Sequence, residues 1–384
     1  MGGFEQLFDA GRAVTPPLQA EDLAGIPGKR GVFLLVASDG RPILLTTAAD
    51  IRSRLRSRLT SPEEGTRQKA ADLREITAHV YWRICHSSFQ TDWQFLELAG
   101  AIWPKTYASL LSHPPAWFVG VNPEEEFPQF VKTQEIGQPG QQVGPFPDRS
   151  SAERFIDALT DSFDLCRYYS ILRQAPHGVP CPYKQMGRSP APCDGSIPMS
   201  VYRDMIRSAS RFAAGGRGPL EQSLSSQMQQ AAGALQFERA GMFKARLGRL
   251  KDFDAPQYAF VREAGAFRFV IVQSGPTSHQ ACTFVCDRGA VVQGPVLEYP
   301  PSEESLRAVL AACDELSARH GQVTLLDRQR MGLVTAYLFC GPAKRGLLVR
   351  RDDIADAAAL RHAIEAAAED LKLRAPVRRR KENG

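Results

Sequence analysis

Apolar residues run from Val32 to Ala37, stop at Ser38-Asp39-Gly40-Arg41, and resume over Ile43-Leu44-Leu45. Two short apolar runs around an Asp-Gly break predict a strand, a tight turn and a second strand. Behind them Ile51, Leu55 and Leu59 recur at every fourth residue, which predicts a helix with one buried side. Arg54 and Arg58 flank that side on one edge, Arg52 and Arg56 on the other. A short helix is expected over 66–75. The alternation of Val80, Trp82 and Ile84 predicts a strand over 76–86. Thr91 or Asp92 can cap a helix carrying Phe95, Leu96, Leu98 and Ile102, with Glu97 beside its apolar face.

Prolines, glycines and Glu124-Glu125-Glu126 dominate 104–147, so irregular chain is expected there, with a short strand at 130–133. Ser150 and Glu153 form a capping box for a helix bearing Phe155, Ile156, Leu159 and Phe163. A further helix over 202–211 ends at Gly215-Gly216. Between Leu220 and Asp252 two apolar stripes appear. Leu224, Met228, Ala231, Ala232 and Leu235 make one; Phe237, Ala240, Phe243, Leu247 and Leu250 make the other. A break at 233–236 folds them into an antiparallel helix pair, whose apolar face needs another surface, either this chain's own domains or a second protein. From 257 onward, strands are expected at 258–262, 267–273, 281–286, 291–294, 323–326, 333–340 and 346–349. Helices are expected from 301 or 303 to 320 and over 354–371, with Asp352 and Asp353 at the start of the last.

The fold class is therefore α+β. We expect a flexible lead (1–25), a small α/β domain (26–112), an irregular linker with cysteines (113–215) and a helical hairpin (220–255). A separate C-terminal α/β or α+β domain (256–371) and a basic tail (372–384) complete it.

The 384 residues suffice for two or three domains with real cores. A net charge of +5 permits a nucleic-acid partner without demanding one, so position matters more: arginines cluster at 52–58 and at 378–380. No apolar run is long enough to span a membrane, and the first residues lack the pattern of a secretory signal, so a cytoplasmic location is expected. Eight cysteines in this length do not make a disulfide framework. Cys166, Cys181 and Cys193 are spaced by 15 and 12, unlike a zinc ribbon, and unpaired thiols are expected. There is no Walker loop and no dinucleotide fingerprint, and His177, His279 and His320 stand alone.

Several of these stretches, in order, resemble the N-terminal half of the bacterial excinuclease subunit UvrC family. Ile26-Pro-Gly-Lys-Arg-Gly-Val-Phe33 and Pro42 to Ser57 resemble its GIY-YIG nuclease core, and Thr91 to Glu97 resembles its metal-glutamate helix. Val143 to Pro147 and Cys181 to Gly195 are similar to its linker, and Met228 to Leu250, centred on Leu235-Gln-Phe-Glu-Arg-Ala240, to its UVR motif. The resemblance implies a GIY-YIG-like domain over 26–112 and a UVR-like hairpin that binds UvrB through Met228, Leu235, Phe237, Ala240, Phe243 and Leu247.

Departures from the family pattern change what is expected. The first motif tyrosine is Phe33, the second is Leu44, and the glycine and lysine that follow are Thr46 and Thr47. Arg54 matches the arginine that holds the scissile phosphate, and Glu97 the glutamate that carries a divalent metal. Losing a general base typically costs a factor of about 10²–10⁴. Cys181 and Cys193 match two of the four cysteines that hold the family's iron–sulfur cluster; Ser189 replaces a third, and Cys166 is displaced from the position of the first, Tyr168. A cluster is not expected, since a hydroxyl is a poor ligand for its iron.

The first reading is a catalytically silent DNA-repair accessory, touching backbone phosphate through Arg52, Arg54, Arg56 and Arg58 and docking a UvrB-like partner. The second is a surviving endonuclease using Arg54, Glu97 and Mg or Mn. The third is a non-repair structural or interaction protein.

Overall fold

The computed structural model describes residues 3–16, 20–59, 73–318 and 321–375. Most of the expected 66–75 helix, His320 and the arginines at 378–380 lie outside them. Among the described residues the strands form three four-stranded antiparallel sheets.

The first sheet is built from β1 (Ala10–Ala13), β2 (Gly31–Ala37), β3 (Pro42–Ala48) and β4 (Thr77–Ile84), in the order β1-β4-β2-β3. β2 and β3 are the expected hairpin, with Phe33 opposite Thr46 and Leu35 opposite Leu44. Side chains alternate across a strand, so Phe33 and Leu35 point to one face and Val32, Leu34 and Val36 to the other. All five are buried because both faces are covered. Helix α1 (Ile51–Leu59) covers the first with Ile51 and Leu55, and α2 (Ser88–Ile102) covers the second with Leu98 and Ala99. Gly31 allows the strands to close up: a Cβ there would sit 2.0 Å from the Arg83 carbonyl oxygen. The lead is not loose as expected. Ala10–Ala13 pairs with His79–Trp82 as an edge strand, and Phe8, Val14 and Leu23 are buried. Ser87 caps α2, accepting from the Gln90 amide at 3.1 Å, so Thr91 and Asp92 fall inside the helix rather than at its cap.

The second sheet occupies the region expected to be irregular. It contains β5 (Trp117–Val121), β6 (Val131–Thr133), β7 (Gln141–Phe146) and the two-residue β8 (Arg262–Glu263), in the order β6-β5-β7-β8. Helices α3 (Arg149–Ser162) and α4 (Met199–Ala213) bury Phe155, Leu159, Tyr202, Ile206 and Phe212 against it. Asp148, not Ser150, caps α3. The expected helix pair is α5 (Arg217–Gly233) and α6 (Phe237–Leu250), reversing at Leu235, whose φ is +58°. Leu224 and Leu250 root its base in the same core.

The third sheet has the order β11-β10-β9-β12, from β9 (Arg268–Ser274), β10 (Gln280–Asp287), β11 (Ala290–Glu298) and β12 (Leu347–Arg350). Three helices accompany it: α7 (Glu303–Ala318), α8 (Leu325–Leu338) and α9 (Ala357–Ala366). α7 and α9 cover Val270, Val272 and Val285; α8 lies on the opposite face with Phe269, Ile271 and Phe284. The stretches 323–326 and 333–340, expected as strands, together make α8. Eight of its fourteen residues are buried, and a helix enclosed on several sides loses the one-faced period that marks helices in sequence. Thr324 and Asp327 close a capping box at its start. The expected strand at 258–262 is a turn leading into β8, and Asp356, rather than Asp352 or Asp353, caps α9. Among the described residues no helix is long and apolar enough to cross a membrane.

Candidate functional site

α2 is packed on two sides. Leu98 and Ala99 face the first sheet, while Phe89, Trp93 and Leu96 face β10 and α8. The Phe89 ring lies 5.2 Å from both Phe284 and Tyr337. Gly332 lets α8 lie against the chain at Pro114: a Cβ there would meet the Pro114 carbonyl oxygen at 2.1 Å. Two polar links cross the same seam. The Tyr337 hydroxyl donates to Asp92 Oδ2 at 2.7 Å, and His113 Nε2 lies 3.7 Å from the same oxygen. Burial alone would raise the Asp92 pKa, but hydrogen bonding to His113 and Tyr337 outweighs it and holds the carboxyl below its ordinary value.

The second link decides the state of Glu97. Arg330 donates from Nε to Oε1 at 2.6 Å and from Nη2 to Oε2 at 2.7 Å, a two-pronged pair, while its Nη1 reaches Asp327 at 2.7 Å. The Arg330 and Glu97 side chains are 17% and 27% exposed, so water screens the pair only partly. Burial opposes the charge on Arg330, yet Glu97 and Asp327 keep it charged and raise its pKa. A divalent ion needs carboxylate oxygens turned toward it and no cation beside it. Both oxygens of Glu97 face a guanidinium, so this carboxylate as placed does not fit a metal ion.

Arg54 sits on α1, across the sheet from α2. It is exposed, as are Arg56 and Arg58. Arg52 is half-buried, and its Nε donates to the Ile26 carbonyl at 2.5 Å, which ties α1 to the preceding turn. Phe33 is fully buried against Ile51 and Leu55, and Leu44 is half-buried on the same face. Thr46 and Thr47 lie on the edge strand, lining a cavity of about 290 Å³ with Asp92 and His113.

In the linker, Cys181 and Cys193 are buried and Cys166 is half-buried, its Sγ 3.9 Å from Ser189 Oγ. Burial pushes the Cys166 thiol up to about 11, with Cys193 and Cys181 near enough to add to the shift. Three thiols of this kind and a hydroxyl do not fit an iron–sulfur cluster. Among the described residues no group of three or more histidine, cysteine or acidic side chains is arranged to hold a metal.

On the hairpin, Phe243 and Leu247 turn toward the chain's own middle core, and Met228 and Ala240 are half-buried. Leu235 and Phe237 stand at the reversal, 73% and 69% exposed. Met242, 72% exposed, joins them, although its position off the apolar stripe gave no signal in the sequence.

A family profile for the UvrC/Cho excinuclease middle domain matches residues 116–212. UvrABC system protein C of Halobacterium salinarum is 28% identical over 303 residues, covering 75% of this chain and 50% of the relative. The protein of the same name from Moorella thermoacetica is 25% identical over 264 residues, covering 64% of this chain and 42% of the relative. Residues 116–212 match the UvrC/Cho middle-domain family, and much of the chain is similar to UvrC proteins at low identity. The chain spans half or less of the length of these UvrC relatives. No solved structure gives a significant match.

The UvrC middle-domain match covers β5 to α4, in which Pro and Gly residues hide β5 and β7 while β6, α3 and α4 are expected from the sequence. Of the residues that the UvrC resemblance singles out, the structure gathers Cys166, Cys181, Cys193 and Ser189. It does not gather Arg54 with Glu97: their helices cover opposite faces of the first sheet, and Glu97 turns to α8. Arg330 and Asp327 were missed in the sequence, because their stretch reads as the flank of a strand.

Proposed function

We propose that this chain is a UvrC-like accessory of nucleotide excision repair whose nuclease core is catalytically silent. Exposed Arg54, Arg56 and Arg58 of α1 meet the phosphate backbone of DNA without reading sequence. The tip of the α5–α6 hairpin, with Leu235, Phe237 and Met242, docks on a UvrB-like partner; Phe243 and Leu247 serve to hold the hairpin on its own domain.

One observation carries the reading: Glu97, the counterpart of the family's metal carboxylate, has both oxygens engaged by Arg330. The positions where a nuclease of this kind keeps a proton acceptor hold Phe33 and Leu44, whose side chains have none. What is left is a cationic helix suited to contact rather than chemistry. The relatives' shared name, UvrABC system protein C, supports the repair setting.

The test is a duplex-binding titration at several salt concentrations. Arg54→Glu/Arg58→Glu weakens binding and reduces the salt slope by about two, one per phosphate contact removed. An unchanged slope removes α1 from the interface. A pull-down against a UvrB-type protein, lost in Leu235→Ser/Phe237→Ser, checks the hairpin.

A further inference from the structure

From Leu165 to Cys193 there is no aspartate or glutamate, yet Arg167, Arg173, Lys184, Arg188, Tyr168, Tyr169 and Tyr183 all occur there. The stretch folds as single helical turns, Tyr169–Leu172 and Pro182–Gln185, pinned from beneath by buried Leu172, Cys181 and Cys193. Turns this short offer their aromatic side chains little to pack against. Tyr168 and Tyr169 are 46% and 40% exposed, side by side.

Two of the three tyrosine rings have a cation close to them. The Arg173 guanidinium lies 5.9 Å from the Tyr169 centroid. Arg167 lies 4.8 Å over Tyr183, whose ring is 6.1 Å from that of Tyr168. Asp161 of α3 binds both Arg167 and Arg188, which holds the Arg167 guanidinium over Tyr183 and brings Arg188 to the same carboxylate. Lys184 is turned to Asp194 and Ser196 and takes no part. Two arginines therefore share the carboxylate of Asp161, and that of Asp157 acts on Arg167 at longer range.

Exposed rings with fixed cations alongside are what an unpaired nucleic-acid strand needs. Every base has a flat π-face that can stack on an aromatic ring, and its phosphate can meet a neighbouring guanidinium. Duplex DNA cannot use such a surface, because its bases are already stacked on each other. The geometry points to Tyr168 and Tyr169, with Arg173 at the Tyr169 ring and Arg188 held by Asp161 together with Arg167, as a platform for single-stranded DNA. The inference rests on the DNA-repair reading and deepens it: the unpaired strand goes to the middle domain, the duplex backbone to α1.

The test is fluorescence anisotropy of the full chain with labelled oligothymidylate and with a duplex of equal length, at low ionic strength. Tyr168→Ala/Tyr169→Ala weakens single-strand binding by roughly tenfold or more and leaves duplex binding and the melting curve unchanged. Tyr168→Phe/Tyr169→Phe, which keeps the ring faces, restores it. Single-strand affinity unchanged by the alanine pair, in a chain that still binds duplex through α1, overturns the platform and leaves the repair reading standing. A wild-type chain that binds neither nucleic acid overturns both.

Discussion

Arg330 grips Glu97 with two nitrogens, and that single pair makes the carboxylate half of a structural contact. An arginine fork matches a carboxylate better than a lysine can, and part-burial strengthens it beyond a surface ion pair. Arg330→Met leaves Glu97 without its cation against α8. We expect a loss of about 2–4 kcal/mol, between the ranges for exposed and fully buried pairs, read from urea unfolding midpoints. Adding Glu97→Leu recovers most of that loss, because the seam around the pair is already apolar. An Arg330→Met chain as stable as wild type removes the pair from the account. The same scale shows what the sequence reveals. Phe33 and Leu44 are legible as residues that cannot take a proton from water, and the structure adds that Phe33 is fully enclosed. The partner of Glu97 was not legible: the two are separated by 233 positions, and no local pattern joins them.

At the level of elements, α2 and α8 share one seam, and its second polar link sets an acid limb. Asp92 is held below 3.8 by hydrogen bonding to His113 and Tyr337, against the opposing effect of burial. A carboxyl depressed on folding adds stability above its unfolded pKa and loses it as pH falls through the folded value. Stability should therefore decline as pH drops below 3.8, and Asp92→Asn should flatten that decline in midpoints measured across the acid range. An identical acid limb in the variant would mean that Asp92 titrates alike in folded and unfolded chains. The β2–β3 hairpin was legible from its Asp-Gly turn, and elements with one buried face from their period: α1 with Ile51 and Leu55, and the α5–α6 pair with its reversal at Leu235. Elements enclosed on several sides, or cut short by Pro and Gly, were not. α8 reads as strand because Leu333, Val334, Thr335 and Tyr337 are all buried; β5 and β7 hide among residues that usually mark loops, although the short β6 between them was expected.

For the whole molecule, α2 is a common layer. Its Leu98 side belongs to the first sheet and its Trp93 side to the third, so the C-terminal domain closes over the face that carries Glu97. The separate C-terminal domain expected from the sequence is instead joined to the N-terminal one through Phe89, Phe284 and Tyr337. The proposed DNA contacts lie outside this seam, on the arginines of α1 and the tyrosines of the middle domain. The most direct measurement is strand scission by the purified chain on supercoiled and branched DNA with Mg²⁺ or Mn²⁺, run beside Glu97→Gln. The account predicts no cleavage above that of the variant at any metal concentration. Reproducible metal-dependent nicking that disappears in Glu97→Gln would contradict it.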